Sequence, residues 1–164
     1  MTEMLFRKDA YAREAMGKVR RITSEGGIVL DGTVFYPTSG GQPGDSGKLR
    51  WKGGEIEIAT TVKGEGDDIV LVPAEPAGLP GVGQDVTQIL NWDRRYRHMR
   101  VHTALHLLSV VIPLPVSGGA IAAEKGRLDF DMPEAPEDKA ALEEDLNRLI
   151  GCDMDVTEEW ITDA

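Results

Sequence analysis

The sequence predicts an α+β fold: a small β-barrel-like domain over residues 1–92, then a two-layer α/β domain over residues 93–164. Three observations predict it. Short apolar runs broken by glycine turns crowd the first half. A long helical pattern opens the second half. A strand, an amphipathic helix and a further strand then follow it, the element order of an α+β layer.

In the first half, Ile28-Val29-Leu30 and Thr33-Val34-Phe35-Tyr36 flank Asp31-Gly32, a two-residue hairpin signal. Gly47 to Trp51 and Glu55 to Ala59 alternate around Gly53-Gly54 and predict a second hairpin. Ile69 to Val72 reads as a short apolar strand, and Val86 to Trp92 as another leading into a helix. Pro73 to Gly83 is rich in proline and glycine and reads as a loop.

The clearest helix is predicted over 93–112, with Asp93 as N-cap and Pro113 as its stop. At about 100° per residue, Tyr96, Val101, Ala104, Leu105, Leu107, Leu108, Val111 and Ile112 share one broad face. His98, His102, His106 and Ser109 fall on the other. Pro113 to Gly119 reads as a loop, Gly126 to Met132 as a strand, and Glu137 to Ile150 as a helix burying Leu142, Leu146, Leu149 and Ile150. Met154 to Ile161 is expected to be a last strand.

Composition narrows the function. Hydrophobic residues at 41% and charged residues at 28% are ordinary for a soluble domain. No apolar run approaches the roughly 18 residues of a membrane span, and the N-terminus lacks the order of a secretory signal. The single cysteine, Cys152, excludes an internal disulfide framework and predicts a cytoplasmic protein. A net charge of −10 argues against broad electrostatic binding of nucleic acid, DNA included. The exception is local: Arg94, Arg95, Arg97 and Arg100 crowd the start of the long helix. They are either phosphate contacts or part of a solvated face paired with the chain's acids.

His102 and His106 stand one helical turn apart, where two imidazoles can grip one ion, most often Zn²⁺. Because aliphatic residues already fill the opposite face, the pair is expected on a solvated face or facing a cleft. Thr103 stands where a zinc peptidase helix carries its glutamate, so a peptidase is excluded. His98 lies too far along the helix to join the same ion, about 12 Å from His106 by helical rise, and is expected to be a bystander or to face substrate. Cys152 has Val156 where a Cys-x-x-x-His motif needs histidine, and reads as a packed thiol.

The second signal is Phe35-Tyr36-Pro37-Thr38-Ser39-Gly40-Gly41-Gln42-Pro43-Gly44-Asp45-Ser46-Gly47. Alone it is a tight inter-strand loop, matching neither the dinucleotide nor the P-loop fingerprint. Followed some fifty residues later by Asp93-x-Arg95-x-x-x-x-Arg100-x-His102-Thr103-Ala104-x-His106-Leu107-Leu108, it resembles the alanyl-tRNA synthetase editing-domain family, closest to the free-standing AlaX-type trans-editing proteins. The resemblance runs from about residue 5 to 164.

The resemblance implies an aminoacyl-tRNA deacylase with a barrel-like N-terminal domain and a zinc-dependent C-terminal editing domain. Such enzymes hydrolyse the ester joining a wrong amino acid, chiefly serine and sometimes glycine, to tRNA(Ala). It implies His102 and His106 as zinc ligands, and Gly40, Gly41, Gln42, Pro43 and Asp45 as residues of the editing cleft. Ser117 is the match for a substrate-facing hydroxyl, and Gln42 and Ser117 are the candidates for reading the serine hydroxyl. Arg95, Arg97 and Arg100 are the candidate tRNA contacts. Zinc would activate water or orient the substrate. The family's downstream Cys-x-x-x-His is missing, so two of four expected ligands are present and the chain is expected to be part of a longer protein. The alternatives are a threonyl-tRNA-type editing hydrolase, which the glycine motif disfavours, and an inactive tRNA-binding module or fragment.

Overall fold

The computed structural model describes residues 1–76, 78–157, 159 and 161–162. Its first half is built on a closed barrel. The short strand β1 (Glu3–Met4) and the one-turn helix α1 (Leu5–Lys8) lie at one end. The barrel strands are β2 (Glu14–Ile22), β3 (Ile28–Leu30), β5 (Gly47–Trp51), β6 (Gly54–Lys63), β7 (Ile69–Pro73) and β8 (Asp85–Leu90), in the order β2-β3-β7-β6-β5-β8. Every neighbouring pair is antiparallel. Val19, Ile28, Leu30, Leu49, Ile58, Ile69, Leu71 and Val86 fill its interior, each almost without exposure. Burial of such side chains contributes roughly 1.5–3 kcal/mol each, which explains why this half folds around its own core.

The predicted β5–β6 hairpin forms with Trp51 opposite Gly54. The hairpin predicted at Asp31-Gly32 does not. The strand β4 (Gly32–Thr33) pairs in parallel with β1, while β3 pairs with β2 and β7. The cause is non-local. Asp31 Oδ1 accepts from the N–H groups of Lys18 and Gly32, both at 2.8 Å, and Asp31 O accepts from Glu3 N at 2.8 Å. Gln88 then secures the turned chain: its Oε1 accepts from Thr33 Oγ1 at 2.7 Å, and its Nε2 donates to Gly32 O at 3.0 Å. These bonds fix the start of the glycine-rich segment that follows, and Val34 N also donates to Gln88 Oε1 at 3.3 Å.

Helix α2 (Trp92–Val111) starts one residue before its predicted position. Its N-cap is Asn91, whose side chain accepts from Arg94 N at 3.2 Å, and Asp93 instead occupies the first turn and pairs with Arg97. The face buried most deeply carries Arg95 and His98, while Tyr96, expected on the apolar face, is 41% exposed. Strands β9 (Val116–Ile121) and β10 (Gly126–Phe130) pair antiparallel and pack against α2. Much of the stretch expected as a loop before Gly119 is therefore strand. Helix α3 (Lys139–Gly151), capped by Asp138, packs beside α2 with Leu142, Leu146 and Leu149 half-buried, but Ile150 is exposed. Residues 154–157 form no strand, and part of the strand predicted to Ile161 lies outside the described residues. Among the described residues, no helix is long and apolar enough to cross a membrane.

Candidate functional site

The glycine-rich loop is locked onto the barrel before it meets α2. Thr38 N donates to Thr61 O at 2.9 Å, Gly44 N donates to Thr38 Oγ1 at 2.9 Å, and Thr61 Oγ1 donates to Asp45 O at 3.0 Å. Gly44 packs so closely that a Cβ there would lie 1.9 Å from Thr61 O. Asp45 is fully buried: its Oδ2 accepts from Tyr36 N at 2.7 Å and from the buried Arg95 guanidinium. Burial pushes the Asp45 pKa up, against the opposing pull of Arg95, the Tyr36 N–H and Arg94.

At the tip of this loop, Ser39 and Gln42 exchange backbone hydrogen bonds of 3.1 and 2.9 Å around Gly40 and Gly41. Gly41 has φ +77°, and a Cβ on it would meet Gly119 O at 3.2 Å. Its carbonyl accepts from Ile121 N at 3.0 Å, so the glycine tip docks on β9. The result is a cleft of about 300 Å³ walled by Gly40 and Gly41 on one side, His102 and His106 on another, and Gly118 to Ile121 on a third.

Within the cleft the two imidazole rings lie 5.0 Å apart, centroid to centroid, with 18° between their planes. Behind them Gln42, 4% exposed, places Oε1 2.9 Å from His102 Nδ1. An amide oxygen can only accept, so Nδ1 carries the proton and the Nε2 lone pair is free. Burial, and then the charge of His106, hold the His102 pKa below the usual imidazole value. A neutral ring with one nitrogen anchored and the other free is the form that ligates metal. The pair and its anchor thus fit half of a zinc site. Among the described residues, no group of three or more His, Cys, Asp or Glu side chains completes it. Cys152 lies exposed at the end of α3, its Sγ donating to Arg148 O.

A family model for class II (A) tRNA synthetases matches residues 6–94. The chain is 40% identical to the alanyl-tRNA editing protein AlaX-M of Methanosarcina acetivorans over 160 residues, covering 92% of this chain and 65% of that one. The chain belongs to the alanyl-tRNA synthetase editing-domain family. To the Pyrococcus horikoshii AlaX-M it is 39% identical over 82% of its own length and 62% of the relative's. To the alanine–tRNA ligase of Pyrococcus abyssi it is 33% identical over 98% of its own length but 18% of the ligase. The chain therefore spans just under two thirds of these two AlaX-M relatives.

Several residues expected at the family's site stand elsewhere. Ser117 is on β9, but its hydroxyl donates to Asp129 O at 3.3 Å and it is not part of the cleft wall. Ser109 lines the cleft instead, its Oγ donating to His106 O at 2.7 Å. Asp45 and Arg95 are taken up with each other under the loop, which leaves Arg95 no free face for a phosphate. Arg97 pairs with Asp93 and Glu124. Arg100 is exposed and has no carboxylate partner among the described residues. His98 neither lines either cleft nor stands free: it is 2% exposed, with Nδ1 unpartnered among the described residues. The β9 wall was hidden in the sequence because Gly118 and Gly119 erase the alternation that marks a strand.

Proposed function

We propose that the protein hydrolyses the ester of mischarged tRNA(Ala), chiefly seryl-tRNA(Ala) and also glycyl-tRNA(Ala), as a trans-editing deacylase. The observation that carries this reading is the joining of the family's two motifs in one small cleft, where the glycine tip faces His102 and His106. His102 and His106 would hold Zn²⁺, which supplies polarisation of a carbonyl or a more acidic water when bound. Gln42 fixes the tautomer and orientation of His102 rather than standing in the first cleft itself. The glycine tip and the glycine-rich β9 present backbone rather than bulk, which leaves room for a small aminoacyl group. Arg100 is the α2 cation assigned to a tRNA phosphate, so binding should weaken as salt rises. A tRNA substrate is in keeping with a cytoplasmic location.

Deacylation of seryl-, glycyl- and alanyl-tRNA(Ala) compared side by side tests the reading. Faster loss of serine than of alanine supports it, and equal rates contradict it. That no group of three or more His, Cys, Asp or Glu side chains stands together among the described residues favours a second reading, a tRNA-binding module without hydrolysis. Tight tRNA binding with background deacylation and no bound zinc would select it.

A further inference from the structure

A second cleft, of about 580 Å³, opens on the far side of the glycine tip. His102 is common to both clefts, and the tip divides them: Gly40 and Gly41 face the first, Ser39 and Gln42 the second. The second cleft is walled by the half-buried Tyr36 ring, braced edge-on by Phe6 at 5.4 Å, and by Met99. At its rim stand Arg7 and Lys63, both exposed and both without a carboxylate partner among the described residues. Unpaired cations are notable in a chain whose acids outnumber its bases 28 to 18. Asp67 adds a carboxylate with no side-chain partner among the described residues, whereas Asp68 is held by Arg20, Arg21 and the N-terminal amine.

We infer that this second cleft seats the terminal nucleoside of the acylated RNA strand, with the aminoacyl group reaching past His102 into the first. The inference rests on the hydrolase reading above. An aminoacyl ester is bonded directly to the ribose, so a carbonyl held beside His102 puts the sugar next to the shared wall. The larger cleft takes the larger group, within the size range of small-molecule sites. A flat base needs an aromatic or apolar wall, which Tyr36 and Met99 provide. The phosphate 5′ of that base needs cations, which Arg7 and Lys63 provide. The ribose hydroxyl that is not acylated can donate to Asp67.

Adenosine 5′-monophosphate titrated into the whole protein, followed by NMR, tests the site. Saturable shifts are expected at the Met99 methyl, Tyr36 and Lys63, with Leu105 and Ser109 of the first cleft unmoved. Arg7→Glu and Lys63→Glu should each weaken binding about tenfold, the size of one charge-assisted hydrogen bond. Lys63→Arg should bind as the parent does. Because all three substitutions are at exposed positions, unchanged melting temperatures should accompany them. No shifts at millimolar nucleotide, shifts confined to the first cleft, or parental binding by both Glu variants overturns the inference. Deacylation measured on the same samples separates the two ideas. Hydrolysis without a nucleotide response in the second cleft removes the subsite and leaves the hydrolase reading. A localised response in a protein that hydrolyses nothing supports the nucleoside site and removes the hydrolase reading alone.

Discussion

At the residue scale, the site turns on the hydrogen bond from His102 Nδ1 to Gln42 Oε1 at 2.9 Å. Partners of this kind orient a metal ligand and raise its basicity, and losing one typically costs 10–100-fold in metal affinity, as an order of magnitude. Gln42→Ala is therefore expected to weaken zinc binding by about 10–100-fold in a chelator competition. Gln42→Glu keeps an acceptor and should hold zinc at least as well as the parent. Equal zinc affinity in Gln42→Ala and the parent would show that Gln42 does not orient the ligand. The His-x-x-x-His spacing and the glycine motif were legible in the sequence because each is local. The Gln42–His102 and Asp45–Arg95 pairings were not, since they join residues 60 and 50 positions apart. A sequence alone also counts Arg95 as one more cation on a basic helix. Only folding shows that its charge is spent inside, on a carboxylate that burial would otherwise leave uncompensated.

At the scale of elements, the glycine loop works because one strand lets it approach. The contact of Gly44 with Thr61 of β6 leaves no space for a methyl group. Gly44→Ala should lower stability by about 3 kcal/mol or more, a cost at the upper end for an overpacked site. Urea unfolding measures it, and a change below about 0.5 kcal/mol, the usual range of a neutral surface substitution, would show that the loop relaxes away. The same loop carries the His102 anchor, so the variant should lose zinc affinity as well. The β5–β6 hairpin was legible from Gly53-Gly54 and flanking alternation. Strand β2 was not, because only Val19 among its nine residues is fully buried and charged residues break the alternation. The Asp31-Gly32 turn misled for a related reason: its hydrogen bonds go to Lys18 and Glu3 rather than across a hairpin.

At the scale of the whole molecule, α2 meets the segment between β4 and β5 through buried polar groups, Arg95 on Val34 O and Asp45 among them, and the buried His98 on the same helix sets a pH dependence. Burial, followed by the charges of Arg94 and Arg95, holds the His98 pKa below the ordinary imidazole value. The unfolded chain therefore takes up this proton first. Stability is full above about pH 6.5, the unfolded value, and falls as pH drops through the window down to the lowered folded value. The steepest slope for one proton is about 1.4 kcal/mol per pH unit. Urea midpoints at pH 7.5 and 5.5 should differ in the parent and differ less in His98→Leu. Some slope should remain, since His102 shifts in the same direction. An identical slope in both proteins would remove His98 as its source.

The α+β architecture was legible from the change in periodicity near Trp92, where strands of period two give way to a helix. That same boundary sets the histidine cleft, because α2 delivers the histidines to a loop the barrel has already fixed. Zinc-dependent editing in this cleft is tested by the rate of seryl-tRNA(Ala) deacylation by the protein supplied with zinc, measured beside the His102→Ala/His106→Ala double variant. Hydrolysis above the spontaneous rate is expected in the parent, abolished by a chelator and absent from the variant. Hydrolysis at the same rate in both proteins, or no hydrolysis above background in the zinc-supplied parent, would contradict it.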